Sequence, residues 1–282
     1  MSLTESRRVR IGHSPDPDDA FMYYAISRGE IDTGGFRVEQ VLEDIETLNR
    51  RAVAGELEVT AISIHAYAHV AHRYALMSCG ASMGDGYGPI VVSRGPMTPA
   101  DLARATVAVP GTLTSAFLAL RLFLGVPFPF VVIPFDAILD AVASGRTDAG
   151  LIIHEGQLTF GDLRLKKVLD LGAWWGGETG GLPLPLGGNA VRRDLGPEGM
   201  AALTRMYRES IAFALSHRAE ALAYAKDFGR GLDDGRNDRF VAMYVNERTL
   251  DYGESGRRSV RLFLERGAAA GVVPPVERLD FI

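Results

Sequence analysis

The sequence predicts an α/β protein of two domains with a cleft between them, and three observations carry that expectation. Strand-like and helix-like segments alternate along most of the chain, which favours parallel βαβ units over a sandwich or a bundle. Two Gly/Pro-rich zones, Gly84-Asp85-Gly86-Tyr87-Gly88-Pro89 and residues 176–188, bracket a middle block. The chain has 282 residues, 47% of them apolar, enough for two cores. The simplest organisation is discontinuous: residues 95–187 form a smaller domain, and residues 1–94 with 188–282 form a larger one.

Val9-Arg10-Ile11 reads as a short strand. Asp16 then stands where it can cap a helix, with Pro17 in the first turn and Asp18 and Asp19 complementing the dipole. Residues 36–41 alternate like a half-buried strand, Asp44 opens a helix that stops at Gly55, and residues 59–63 return to strand. Residues 64–74 read as helix. The pattern then repeats: strands at 90–93, 106–109, 130–133 and 150–153, with helices at 99–104, 113–124 and 137–143 between them. From Pro197 the chain reads as three or four helices, broken at residues 229–235 and at Gly253.

Composition narrows the function classes. Thirty Lys and Arg against 35 Asp and Glu leave a net charge of −5, which offers no basic field for a nucleic-acid backbone. Cys79 is the only cysteine, so no internal disulfide framework is expected. The charge-free stretches 105–120 and 122–135 are short and broken by prolines, so no membrane span is expected. The N-terminal Met1-Ser2-Leu3-Thr4-Glu5-Ser6-Arg7-Arg8 lacks an apolar core and does not read as a signal peptide, so the expected location is cytoplasmic.

In open parallel sheets, ligands bind beyond the carboxyl ends of the strands. Polar residues follow four expected strands: His13 and Ser14, Ser63 and His65, Thr112, Thr114 and Ser115, and His154 and Glu155. The sharpest signal is Val109-Pro110-Gly111-Thr112-Leu113-Thr114-Ser115-Ala116-Phe117, a strand end, a glycine and a helix opened by hydroxyl residues. That is an anion site or an ordinary helix cap, and without a P-loop lysine it suits a carboxylate better than a nucleoside triphosphate. His154, at the carboxyl end of a strand, has the residue type for moving a proton near neutral pH; a satisfied structural histidine is the bland alternative.

Other signals carry less. Gly80-Ala81-Ser82-Met83-Gly84 has the spelling of a nucleophile elbow, but a new strand follows instead of a helix, so Ser82 is rejected. His65, His69 and His72 share a helix face but lack a carboxylate at metalloprotease spacing, so a solvated stripe is expected and no metal site. Lys166, Lys167 and Lys226 are the only lysines, and none is placed like a Schiff-base residue.

Five motifs in order complete the reading: Ser14-Pro15-Asp16-Pro17-Asp18-Asp19-Ala20-Phe21, Leu42-Glu43-Asp44-Ile45-Glu46-Thr47-Leu48-Asn49, Gly150-Leu151-Ile152-Ile153-His154-Glu155, Leu171-Gly172-Ala173-Trp174-Trp175 and Gly181-Leu182-Pro183-Leu184-Pro185-Leu186-Gly187. With them the chain closely resembles the 1,4-dihydroxy-6-naphthoate synthases, menaquinone-biosynthesis enzymes of the futalosine route. Asp16 departs from the Cys expected in many relatives. The resemblance implies a type II periplasmic-binding-protein-like fold and a carbon–carbon lyase converting cyclic dehypoxanthine futalosine to 1,4-dihydroxy-6-naphthoate. It implies a small-molecule carboxylate substrate and no metal or redox cofactor. It places the catalytic histidine at His154 and substrate contacts at Ala61, Ile62 and Ser63 and at Thr114, Ser115 and Ala116. Chorismate dehydration on the same scaffold, capture of a small carboxylate without chemistry, and a LysR-type effector domain are the alternatives. The oligomeric state stays open, a homodimer included.

Overall fold

The computed structural model describes residues 7–229 and 232–282; most of the N-terminal segment read for a signal peptide, and two positions of the break at 229–235, lie outside them. The elements follow in the order β1 (Arg7–His13), α1 (Pro17–Arg28), β2 (Phe36–Leu42), α2 (Ile45–Ala54), β3 (Val59–Ser63), α3 (Ile64–Val70), β4 (Tyr74–Leu76), β5 (Ser82–Gly84), β6 (Ile90–Ser93), β7 (Val107–Val109), α4 (Ser115–Leu124), β8 (Phe130–Val132), α5 (Ile138–Ala143), β9 (Ala149–Ile152), α6 (Gly156–Thr159), β10 (Lys166–Asp170), α7 (Leu171–Thr179) and β11 (Leu184–Arg192). Helices α8 (Gly196–Ser216), α9 (Arg218–Lys226), α10 (Asp234–Tyr244), α11 (Glu247–Leu250) and α12 (Gly253–Ala269) complete the described chain.

The described residues fall into two compact units. The first holds residues up to Ser82, Gly187–Gly253 and Val276–Ile282; the second holds Met83–Leu186 and Glu254–Pro275. The sequence reading began the middle block at residue 95 and kept the last helix with the chain ends. In the structure β6 pairs with β9 and β10, so it belongs to the second unit. The last helix joins that unit through Trp175, whose indole N–H donates to Ser259 Oγ at 2.9 Å, while Ser259 donates to the Pro183 carbonyl at 2.6 Å. Phe263 meets the same indole edge-on at 5.3 Å.

The first unit carries strands in the order β2-β1-β3-β11-β4. β2, β1 and β3 are parallel, as the alternation predicts, whereas β11 runs antiparallel between β3 and β4. Its core joins Val9, Ile11 and Val59 of the sheet, Phe21 and Met22 of α1, Met77, and Leu203, Tyr207 and Ile211 of α8. The second unit carries the order β10-β6-β9-β7-β8, in which β9, β7 and β8 are parallel and β6 runs antiparallel between β9 and β10. Ile90, Val92, Ala108, Ile138, Val142 and Ile152 fill its core.

Several local expectations change. The helix expected over 64–74 ends at Val70, where the chain turns (Arg73 N–H to the Val70 carbonyl, 2.8 Å) and Tyr74 enters a strand. The Gly/Pro-rich zone at 176–188 contains the end of α7 and the start of β11; the break is confined to residues 180–183, with Gly180 and Gly181 at φ 69° and 94°. Here alternation gave no warning, because a strand containing Gly187 and Gly188 has little apolar pattern to read. Among the described residues five helices, one of a single turn, run from Gly196 onward in place of three or four.

Candidate active site

The parallel strands β7, β8 and β9 bring three chain segments to one edge of the second unit's sheet. Val107 and Ala108 pair with Ala149 and Gly150, and Val109 pairs with Val132, so the segments after these strands emerge side by side at a strand spacing of roughly 4.8 Å. The segment after β7 leads into α4. Thr114 is its N-cap: its Oγ1 accepts from the Phe117 N–H at 3.2 Å and donates to the Gly111 carbonyl at 3.1 Å. Ser115 donates its hydroxyl to the Leu186 carbonyl, and Ala116 is buried behind it. Thr114 and Ser115 thus fix the shape of the turn, and the anion-attracting feature here is the helix's first-turn N–H groups and dipole.

His154 sits two residues beyond β9 in the left-handed region, at φ 55°. Histidine is among the few non-glycine residues enriched there, though the conformation still stores local strain. Gly156 allows the turn, since a Cβ at that position would lie 2.6 Å from Ile152 Cγ2. The reversed backbone takes the imidazole off the line of the strand. It is half-buried and meets Phe135, from the segment after β8, edge-to-face at 4.6 Å. Glu155, half-buried, opens the short helix α6.

The first unit presents a second set of polar groups at the carboxyl ends of β1 and β3. His13 is fully buried, with Nδ1 2.8 Å from the Ser14 carbonyl and Nε2 2.7 Å from Gln40 Nε2. An amide nitrogen can only donate, so Nε2 accepts and Nδ1 carries the proton. Burial lowers the His13 pKa, outweighing the Asp19 charge, and the ring is held neutral. Ser14 donates to Asp19 Oδ2 twice, from its N–H at 2.9 Å and its hydroxyl at 2.7 Å. Burial raises the Asp19 pKa; it raises that of Asp18 further, helped by the charges of Asp19 and Asp16. Asp18 Oδ1 is sealed from solvent without a hydrogen-bond partner. Asp16 does not cap α1 with its side chain, contrary to expectation; that side chain is itself buried, at 2% exposure, instead of folding over the first turn.

At the end of β3, Ala61, Ile62 and Ser63 are all buried. Asn49, on α2, accepts the Ser63 N–H at its Oδ1 (2.9 Å) and donates from Nδ2 to Ser63 Oγ (3.0 Å). Asn49 was not singled out from the sequence. Its signal was present: a polar residue beside Leu48 on the apolar face of a helix, where it needs partners when buried.

The histidine stripe differs from the solvated one expected. His65 is 3% exposed, His69 is half-buried with its pKa lowered by desolvation, and only His72 lies in the open. Helix α3 packs against α2 and β3, which turns its first histidine inward. Among the described residues no group of three or more His, Cys, Asp or Glu could hold a metal ion. Ser82 opens β5 instead of a strand-to-helix turn. No helix among the described residues is long and apolar enough to cross a membrane.

Residues 9–269 match the family described as menaquinone biosynthesis. A protein of Thermus thermophilus named 1,4-dihydroxy-6-naphtoate synthase is 43% identical over 97% of this chain and 99% of its own. A crystal structure of an Archaeoglobus fulgidus protein superposes with a TM-score of 0.90 at 47% identity, covering 96% of this chain and all of that one. A Candida albicans protein described as having the generic periplasmic binding protein fold superposes at 0.66 with 13% identity, covering 97% and 98% of the two chains, so it shows the fold alone. The fold is accordingly periplasmic-binding-protein-like.

Proposed function

The chain belongs to the menaquinone-biosynthesis family, and we propose that it carries out the 1,4-dihydroxy-6-naphthoate synthase reaction with His154 as its general base. The observation that carries the base assignment is the placement of that imidazole. It stands in a left-handed turn beyond β9, beside the segment that opens α4.

The substrate, cyclic dehypoxanthine futalosine, carries an aryl carboxylate and a saturated carbocycle beside a ketone. Taking a proton from the carbon next to the ketone moves the bonding pair toward the ketone oxygen as an enolate. A carbon–carbon bond then breaks and the ring aromatises, which supplies much of the driving force. His154 takes that proton. The α4 N-terminus, at Thr114, Ser115 and Ala116, favours a negative charge. The buried Ala61-Ile62-Ser63 strand end supplies a donor and an apolar wall. The partner in this reading is a small-molecule carboxylate, and a biosynthetic step of this kind belongs in the cytoplasm.

Incubation with cyclic dehypoxanthine futalosine tests the reading, with 1,4-dihydroxy-6-naphthoate followed by mass spectrometry. Release of the naphthoate without added cofactor is the expected result. Dehydration of chorismate in its place, or recovery of the futalosine derivative unchanged, would overturn it.

A further inference from the structure

We infer that Asn49 is a positioning residue that keeps the Ser63 hydroxyl proton free for its ligand, so that Ser63 can donate to an acceptor oxygen there. The inference rests on the reading above that Ser63 contacts the substrate.

The direction follows from which atoms are able to donate. The Ser63 backbone N–H has a proton and no lone pair to offer, so the amide atom facing it at 2.9 Å must be Asn49 Oδ1. The other end of the amide, 3.0 Å from Ser63 Oγ, is then Nδ2, which can only donate. Ser63 Oγ therefore accepts from Asn49, and its own proton is directed elsewhere. Both residues are buried, at 0% and 4% exposure, so water does not readily randomise the arrangement. Ser63 also occupies the N-cap position of α3, where a serine oxygen ordinarily accepts a helix N–H, yet it makes no such bond. The hydroxyl is withheld from its usual local use and held by a residue from another helix. Asn49 is itself anchored, because Asp44 caps α2 through the N–H groups of Glu46 and Thr47.

A hydroxyl held this way has its proton available for a carboxylate or ketone oxygen. Asn49→Asp should invert it: one carboxylate oxygen keeps the Ser63 N–H, and the other accepts the Ser63 O–H, turning lone pairs toward the ligand.

The test is a double-mutant cycle of wild type, Ser63→Ala, Asn49→Asp and the double variant, measuring kcat and KM at pH 8.5 and melting temperature. Ser63→Ala should lower kcat/KM about tenfold, chiefly through KM, the size of one directed hydrogen bond. Asn49→Asp should do the same, and the double variant should stay within about twofold of Ser63→Ala, because no hydroxyl remains to be turned. Wild-type kcat/KM in Asn49→Asp, or losses that multiply to about a hundredfold in the double variant, would overturn the inference. Wild-type behaviour of Ser63→Ala would instead overturn the reading of Ser63 as a substrate contact. Should Asn49→Asp fail to fold, Asn49→Ala enters the same cycle. Its loss should likewise vanish in the Ser63→Ala background, and a loss that multiplies would again count against the inference.

Discussion

His13 is the last residue of β1 and His154 lies two residues beyond β9, each at the carboxyl end of a parallel strand of its own sheet, and their surroundings differ. His13 is sealed at 0% exposure, its two ring nitrogens bonded to the Ser14 carbonyl and to Gln40, its ring packed 4.6 Å from Tyr23. It is neutral, single-tautomer and structural. His154 is half-buried, turned out of line by a positive φ and braced by one aromatic edge. The same contrast runs through their surroundings. In the first unit, polar side chains organise one another, as Ser14 with Asp19 and Ser63 with Asn49. In the second, side chains bond the backbone, as Thr114 with Phe117 N–H and Ser115 with the Leu186 carbonyl, beside a left-handed turn at His154. A place at a strand end is thus no evidence of catalysis by itself.

The largest expected effect would break the comparison outright. Asn is tolerated at positive φ, so His154→Asn should keep the backbone and the melting temperature while kcat falls by about 10²–10⁴. KM should stay within about tenfold. Steady-state kinetics showing near-wild-type kcat would make His154 as structural as His13.

Next comes a backbone test in the second unit. Gly172 opens α7 against the Tyr87–Gly88 peptide, and a Cβ there would collide with the Tyr87 carbonyl. Gly172→Ala should lower stability by roughly 1–3 kcal/mol, seen as a melting temperature several degrees lower.

Smaller effects sharpen the electrostatic side of the first unit. Asp18 has a folded pKa raised above 3.8 by burial. The unfolded carboxyl ionises first as pH rises, so the wild type loses stability from about pH 4 upward until the folded group also ionises. Asp18→Asn removes that loss, so urea unfolding should show the variant gaining on wild type between pH 5 and pH 8.

His13 has the opposite sign and the smallest effect. Its folded pKa lies below 6.5, so its contribution is complete above that pH and is lost as pH falls toward the folded value. The stability advantage of wild type over His13→Phe should shrink between pH 8 and pH 5. A constant difference would mean that His13 takes up its proton in the fold as readily as in the unfolded chain.

Much of this was legible in the sequence, for identifiable reasons. Asp44 and Thr114 announce helix starts because capping acts over three residues, and both cap as read. The parallel strands β1, β2, β3, β7, β8 and β9 follow from alternation, and His154 lies at the strand end where it was expected. β4, β5, β10 and β11 were missed. They are short, glycine-bearing or exposed, and pairing across the sheet rather than local pattern makes them strands.

By itself the sequence determined the alternation of elements, the helix caps and the motifs that carry the family, because each depends on residues a few positions apart. Only the tertiary structure decided that His13 is spent and neutral, that His65 faces inward, and that the last helix joins the middle block through Trp175. It alone brings Asn49 Nδ2 within 3.0 Å of the Ser63 hydroxyl, fourteen residues on. Desolvation and hydrogen-bond direction depend on which distant segments fold against a group, and no local pattern encodes that.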